Sequence, residues 1–380
     1  MQHENDDEKS LVLKHKNILG VPAIVVAEQI RGRRKARLKL PVLYKTSGII
    51  YPPGVNLEQC SSETAAAFNA TVVNGENMAD LTGGFGIDSY FFSKHFRNVA
   101  HVEPNKELLE ITQHNHHQLH VENIQYHNTT TENVLENTNH HFDLLYIDPS
   151  RRAESNQKVF KLSDCVPDVT RLLDVVFAKS DALLIKASPL LDLQQGLREL
   201  KFVQRIIVLS VENECKEVLF LCKKDFAKEP LVEAVNILSN GTKESFSFLF
   251  SEERNTPSIF SGPQAYLYEP NASILKAGAF KSIGSRFKIN KLHPSTHVYT
   301  AENLIEFPGR IFKIESFVKP DSKTLKAFFP EGKANITTRN YPLSVEELKR
   351  KTKLKDGGEE YLIGFSGIDQ KFLVVATRLR

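Results

Sequence analysis

From residue 77 the chain alternates short, mainly apolar runs with stretches whose apolar positions recur every three or four residues. Those two periods predict strand, helix, strand, helix. Strands are expected at 78–81, 99–103, 124–127, 142–147, 182–187 and 205–211. Helices at 88–96, 106–119, 167–177 and 193–200 and a helical turn at 131–135 fall between them. A further run, 217–222, can return antiparallel beside the sixth strand. Strands that are apolar on both faces are buried on both faces, so the pattern predicts an α/β, doubly wound Rossmann-like sheet covered by helices. Ligands in that architecture sit beyond the carboxyl ends of the strands, and Asp80, Glu103 and Asp148 fall there.

Outside this block the pattern changes. Residues 1–10 are polar and are expected to lack structure, whereas 25–40 read as a helix. Its tail carries Arg31, Arg33, Arg34, Lys35, Arg37 and Lys39 before Pro41 stops it. Such a run is either a solvated helix face or a phosphate-contacting patch. Tyr51-Pro52-Pro53-Gly54 is a turn, and Ser61-Ser62-Glu63-Thr64 opens an Ala-rich helix capped by a serine. Beyond residue 225, strands at 232–238 and 245–250 flank Asn240-Gly241, a hairpin signal. Residues 255–263 form a plausible boundary before a smaller α/β unit. There, strands are expected at 266–268, 310–318, 333–338, 361–365 and 372–376, with helices at 272–278, 323–328 and 344–351. Ser344 and Glu347 make a capping box for the last helix, which Gly357-Gly358 would close off.

Composition sets bounds without choosing a function. The 380 residues suffice for two or three domains, and 41% hydrophobic residues with a net charge of +3 describe an ordinary soluble protein. The polar, acidic start is unlike a signal peptide, and no run is long enough to cross a bilayer. Cys60, Cys165, Cys215 and Cys222 have neither metal-ligand spacing nor disulfide density, so reduced thiols in a cytoplasm are the expectation.

The most informative run is Asp80-Leu81-Thr82-Gly83-Gly84-Phe85-Gly86-Ile87-Asp88, placed where a buried strand ends and a helix begins. Glycine permits positive φ and close approach of a ligand. An acid about 20 residues further on, here Glu103, is placed to accept both hydroxyls of a ribose. A dinucleotide fingerprint would read G-x-G-x-x-G, and Asp80 and Asp88 would repel a pyrophosphate. They suit a ligand carrying an α-amino group and a sulfonium. The run therefore resembles motif I of class I S-adenosylmethionine-dependent methyltransferases, with Asp80, Thr82, Gly83, Gly84, Gly86 and Asp88 around the cofactor and Glu103 on its ribose.

A second motif, Asp148-Pro149-Ser150-Arg151-Arg152, ends the fourth strand and resembles motif IV of the same enzymes. Amino-methylating members commonly read D/N-P-P-aromatic there. An exocyclic amine is a poor nucleophile because its lone pair is conjugated into the ring. Asp148 and the Pro149 carbonyl could accept its two N–H groups and aim the lone pair at the methyl carbon. Ser150 replaces the second proline and Arg151 the aromatic ring, so Arg151 or Arg152 would grip base or phosphate instead. Asp-Pro-x-Arg also resembles pyrimidine carbon-5 methyltransferases. These need a cysteine near the end of the fifth strand, where this chain has Lys186-Ala187-Ser188-Pro189.

Other groups carry less. His114, His116, His117 and His120 share helical spacing without a Cys or Asp partner, so no metal is expected. The charge-dense stretch 211–217 is an exposed hairpin or a substrate-facing loop. Thr129 and Thr130 occupy the neighbourhood of the adenine-contacting side chain, and Ser61 and Ser62 could close the methionine end of the cofactor.

Taken in order, Glu58-Gln59-Cys60-Ser61-Ser62-Glu63, the two motifs, residues 186–192 and residues 213–217 resemble a bacterial (Bacteroidetes-type) group of class I methyltransferases. That group carries a small ferredoxin-like insert and a C-terminal THUMP-like domain. Tyr268-Glu269-Pro270-Asn271-Ala272 carries the middle of the resemblance. Its end lies in residues 333–342 and in Leu354-Lys355-Asp356-Gly357-Gly358. The resemblance implies domains at 1–58, 59–254, 264–307 (ferredoxin-like) and 308–380 (THUMP-like). It also implies S-adenosylmethionine as cofactor and structured RNA as substrate, with a base amino group as acceptor. Between residues 308 and 355 stand 12 Lys/Arg against 5 Asp/Glu, a bias that could engage phosphates. A non-catalytic RNA-binding protein with the same fold is the alternative, and G-G-x-G disfavours a nicotinamide enzyme. Oligomeric state and target nucleotide are not encoded legibly.

Overall fold

The computed structural model describes residues 7–151 and 161–380. The chain divides into two compact units, Met1–Ile206 with Lys216–Lys228, and Ile207–Cys215 with Glu229–Arg380.

The sheet that carries the first unit has seven strands of interest, the sixth and seventh of which run partly in residues 207–215 of the second unit. They are β1 (Asn77–Asp80), β2 (Asn98–Val102), β3 (Ile124–His127), β4 (Leu144–Ile147), β5 (Ala182–Ala187), β6 (Val203–Val211) and β7 (Glu214–Lys223). In space they run β6-β7-β5-β4-β1-β2-β3. β1 pairs in parallel with both β2 and β4, so the strand order reverses there, and a crevice opens beyond its carboxyl end. β7 runs antiparallel to β5, from Val218 opposite Ala187 to Lys223 opposite Ala182. The sequence places β7 beside β6; the chain also inserts it between β5 and β6, which brings Glu217 next to the end of β5. Every residue of β4 and β5 is buried, as apolar runs covered on both faces require.

Helices flank this sheet where the pattern expects them. Helix Lys106–Gln118 is capped by Asn105 and buries Leu108, Leu109, Thr112, Asn115 and His116, one stripe at helical spacing. Helix Val169–Lys179 is capped by Asp168 and buries Val169, Leu173, Val176 and Phe177. Two N-terminal expectations change. Residues Glu8–Lys14 form a helix capped by Asp7 rather than a structureless tail, and Glu8 takes ion pairs from Arg31 and Arg34. Lys35 pairs with Glu58, and Lys39 donates to the carbonyls of Leu57 and Glu58. Most of the basic tail of helix Ala23–Lys39 is therefore spent inside the unit.

The second unit contains the hairpin Leu231–Ile237 and Lys243–Leu249, turned at Asn240-Gly241 with Gly241 at φ 81°. It also holds a seven-stranded sheet. In space this runs Asn290–His293, Thr296–Ala301, Tyr266–Pro270, Gly309–Phe317, Lys371–Arg378, Lys355–Ser366, Lys333–Arg339. Only the last two strands pair in parallel. The first two were not visible in the pattern: Asn290–His293 is short and largely polar, and Thr296–Ala301 buries threonine as well as apolar residues, with Thr300 and Thr296 donating to the carbonyls of Tyr266 and Ser366. Gly357-Gly358 does not close a helix. The pair lies within strand Lys355–Ser366 at φ 121° and 83°, where the register with Lys333–Arg339 shifts. The capping box at Ser344 and Glu347 is present as expected.

Candidate active site

The turn after β1 is held from both sides of the sheet. Gly83 donates to Val102 at 2.8 Å and Gly86 to Gly83 at 2.9 Å. Gly84 and Gly86 take φ of 53° and 77°, which only glycine adopts without strain. Each glycine has its own reason. A Cβ on Gly83 would meet the His101 imidazole at 2.2 Å, and one on Gly86 would meet Thr112 at 2.4 Å. A Cβ on Gly84 would face open space, with nothing nearer than the Thr82 carbonyl at 3.9 Å. The backbone at Gly84 is thus the bare face of the turn.

Glu103 lies beside that face. Its Oε2 accepts from Gly84 N at 3.0 Å and its Oε1 from Asn105 N at 2.7 Å, fixing the carboxylate at the tip of β2. Burial raises its pKa, and the two backbone donors oppose the rise. Each oxygen keeps a second lone pair for a ligand hydroxyl.

Behind the turn is a buried chain. Ser89 donates to Asp80 Oδ2 at 2.6 Å and meets His101 Nδ1 at 2.8 Å. Burial pushes Asp80 up to about 7 and His101 down to about 3, so His101 is neutral. Thr82 N donates to Asp80 Oδ1, while the Thr82 hydroxyl accepts from Asp148 N at 2.7 Å. One residue thereby ties the glycine-rich turn to the second motif.

The centre of the site is Lys186, at the end of β5. Its ammonium reaches Asp148 Oδ2 at 2.7 Å, Asp88 Oδ2 at 3.2 Å and the Ser61 hydroxyl at 2.6 Å. Ser61 also donates to Asp88 at 2.7 Å. The Lys186 side chain is 8% exposed and that of Asp148 35% exposed. Burial works to lower the lysine pKa, and the carboxylates of Asp148 and Asp88 override it, so the ammonium form is held. Burial raises Asp148, and Lys186 works against that rise. Glu217, on β7, is pushed up to about 7 by burial. Asn69 faces Glu217 and works against that rise, while among the described residues Asp88 Oδ1 and the Tyr146 hydroxyl lack a hydrogen-bond partner.

One ammonium therefore stands among four carboxylates, Asp80, Asp88, Asp148 and Glu217. Such a set attracts a cationic ligand and repels a pyrophosphate. Together with the open face at Gly84 and the free lone pairs of Glu103, this donor and acceptor set fits a nucleoside that carries positive charge.

The structure thus gathers Asp80, Thr82, Gly83, Gly84, Gly86, Asp88, Glu103, Ser61 and Asp148 in one unit around the ends of β1, β2, β4 and β5. Pro149 follows Asp148 and is half-buried. Ser62 caps helix Glu63–Asn69 through Ala65 N. Thr130 is exposed and caps helix Thr131–Asn137, which gives its hydroxyl a local role. Thr129 lines a separate cleft of about 580 Å³ that none of Asp80, Glu103 or Asp148 lines. The backbone of Arg151 pairs with Cys165, and Arg152 lies outside the described residues. Among the described residues no group of His, Cys, Asp or Glu is arranged to hold a metal. His116 is buried and bonded to Tyr126 and the Gly86 carbonyl. Sequence reasoning missed Lys186, Glu217, Ser89 and His101. The only signal for Lys186 was a charge inside an otherwise apolar strand.

Two family models match the second unit: a ferredoxin-like domain over residues 266–308 and a THUMP domain-like model over 309–378. Among solved structures, the chain is similar to a "putative methyltransferase from Porphyromonas gingivalis W83". The likeness is 31% identity with a TM-score of 0.89, covering 100% of this chain and 96% of that one. An rRNA methylase from Streptococcus thermophilus matches 42% of the chain and 94% of its own at 16% identity, with a TM-score of 0.31. No curated protein matches.

Proposed function

The chain belongs to the family of class I methyltransferases that carry a ferredoxin-like segment and a C-terminal THUMP-like domain, and from that premise we propose that it methylates structured RNA with S-adenosylmethionine. The observation that carries the reading is the Gly84–Glu103 hydrogen bond, which sets an ionisable ribose acceptor beside a bare glycine backbone in an acidic crevice. When bound, the cofactor supplies a methyl group on a sulfonium, already a good leaving group.

The residues then divide the work of binding and orientation. Glu103 accepts the ribose hydroxyls, Asp80 and Asp88 balance positive charge, and Ser61 with Ser62 borders the methionine end. Asp148 and the Pro149 carbonyl accept the N–H groups of a base amine and turn its lone pair toward the methyl carbon. Thr82 holds Asp148 in register with the turn. Arg151 or Arg152 grips base or phosphate. We assign methyl transfer to residues 59–254 and RNA engagement to 264–380, in a cytoplasmic protein. Support for RNA comes from the THUMP domain-like match and from the exposed Lys323, Lys326, Lys333, Arg350, Lys351, Lys353 and Lys355.

Calorimetry with S-adenosylhomocysteine tests the cofactor site. Glu103→Ala is expected to weaken binding roughly tenfold or more, the worth of charged hydrogen bonds. Unchanged affinity would overturn the assignment. Tritiated methyl transfer to total RNA from a strain lacking the gene tests the substrate class, and no incorporation would overturn it.

A further inference from the structure

Four side chains from separate elements meet at one place: a buried lysine, two carboxylates from different motifs, and a third carboxylate on an inserted antiparallel strand. Among the described residues, Lys186 is the cation within hydrogen-bond reach of Asp148, and it shares its charge with Asp88. Its position is fixed by main-chain pairing, because Lys186 stands opposite Leu219 in the β5–β7 ladder. Its ammonium has three protons, and Asp148, Asp88 and Ser61 are its three partners.

We propose that Lys186 is a positioning residue for methyl transfer, which holds Asp148 in the ionised, acceptor-only state and aims its other oxygen at the substrate. The inference rests on the methyltransferase reading and names a residue that the two motifs leave out.

The charge balance gives the reason. Asp148 is faced by Lys186 from β5, Asp88 from helix Ile87–Phe92, Asp80 from β1, Glu217 from β7 and Tyr146 from β4. Lys186 is the only cation in that set. Without it, three carboxylates and burial all favour the protonated acid. A protonated Asp148 donates a hydrogen bond and cannot accept both demands of an amine. Its Oδ2 is engaged by Lys186, so Oδ1 is the oxygen left to receive the acceptor N–H. Transfer to a neutral amine yields a methylammonium that must lose one proton, and an ionised Asp148 can take it; a pre-protonated one cannot.

The test reads the protonation state first in the ligand-free protein. The Asp148 carboxyl resonance in ¹³C NMR is identified by its disappearance in Asp148→Asn. In Lys186→Met its titration is expected to move upward by about one pH unit or more. In Asp88→Asn, which leaves Asp148 as the carboxylate paired with Lys186, it is expected to move downward. Lys186→Arg keeps the charge and is expected to retain the wild-type titration. Should Lys186→Met fail to fold, the Asp88→Asn shift decides. With tritiated cofactor and total RNA from the deletion strain, the acid limb of kcat/KM is expected to follow the same shifts. A titration unmoved in both Lys186→Met and Asp88→Asn overturns the inference, as does a loss of Lys186→Met activity that is equal at every pH. Failure of the wild-type protein to bind S-adenosylhomocysteine overturns the underlying reading instead, and the two failures are distinct.

Discussion

Gly83 lies so close to His101 that a Cβ added to the glycine would sit 2.2 Å from imidazole Cε1. The ring cannot retreat easily, because it is fully buried and its Nδ1 meets the Ser89 hydroxyl. Gly83→Ala is therefore expected to destabilise the protein by about 1–3 kcal/mol, the usual cost of overpacking. Gly84→Ala meets open space and bears only the strain of its positive φ, about 1 kcal/mol. Urea denaturation of both variants checks the order, and equal midpoints would show that the packing argument is wrong.

That pair also shows where sequence reading succeeds and where it stops. Strands β4 and β5 were legible because doubly covered parallel strands are apolar almost throughout, β1 to β3 because they alternate with amphipathic helices, and the acids at the ends of β1, β2 and β4 mark the crevice. The glycine positions were legible as a turn. The partner of Gly83 was not, because His101 belongs to another strand and nothing local tells a core histidine from a surface one. Lys186 and Glu217 were missed for a related reason. They meet only because β7 inserts beside β5, a non-local pairing that no periodicity announces. Thr296 and Thr300 hid strand Thr296–Ala301 by satisfying buried hydroxyls through distant carbonyls.

Glu217 is expected to act against stability. Its folded-state pKa is about 7, raised by burial above the ordinary glutamate value. The folded state thus binds a proton more tightly than the unfolded chain, and the stability this lends is fully present below the unfolded pKa. It is lost as pH rises from about 4.5 through 7. Glu217→Gln removes the linkage. The variant is expected to gain stability over wild type, by on the order of 1–3 kcal/mol at pH 8 and far less at pH 5. Thermal melts across that range check the sign; a gain that does not grow with pH would refute it.

Cofactor binding should release protons near neutrality. Asp80 and Glu217 both titrate at about 7, and a bound sulfonium would favour their ionised forms. At pH 7 the binding enthalpy of S-adenosylmethionine is expected to differ between phosphate and Tris buffers in the sense of proton release. S-adenosylhomocysteine, without the sulfonium charge, is expected to release fewer. Identical enthalpies in both buffers would remove the carboxylate set from the account of charge recognition.

The C-terminal charge bias predicts how RNA binding should respond to salt. Lys351 and Lys353 are exposed around the end of helix Val345–Thr352, whose last turn is basic. If each neutralises one phosphate, the double variant Lys351→Ala with Lys353→Ala should bind total RNA more weakly. The slope of log affinity against log salt should become shallower by about 1.4–1.8, since each phosphate contact contributes roughly 0.7–0.9. Cofactor affinity should not move, because the acidic crevice belongs to the first unit. Filter binding between about 50 and 200 mM salt resolves the difference. A slope unaltered by the substitutions would mean that this face is only a solvated basic surface, and the RNA contact would have to be sought elsewhere on the chain.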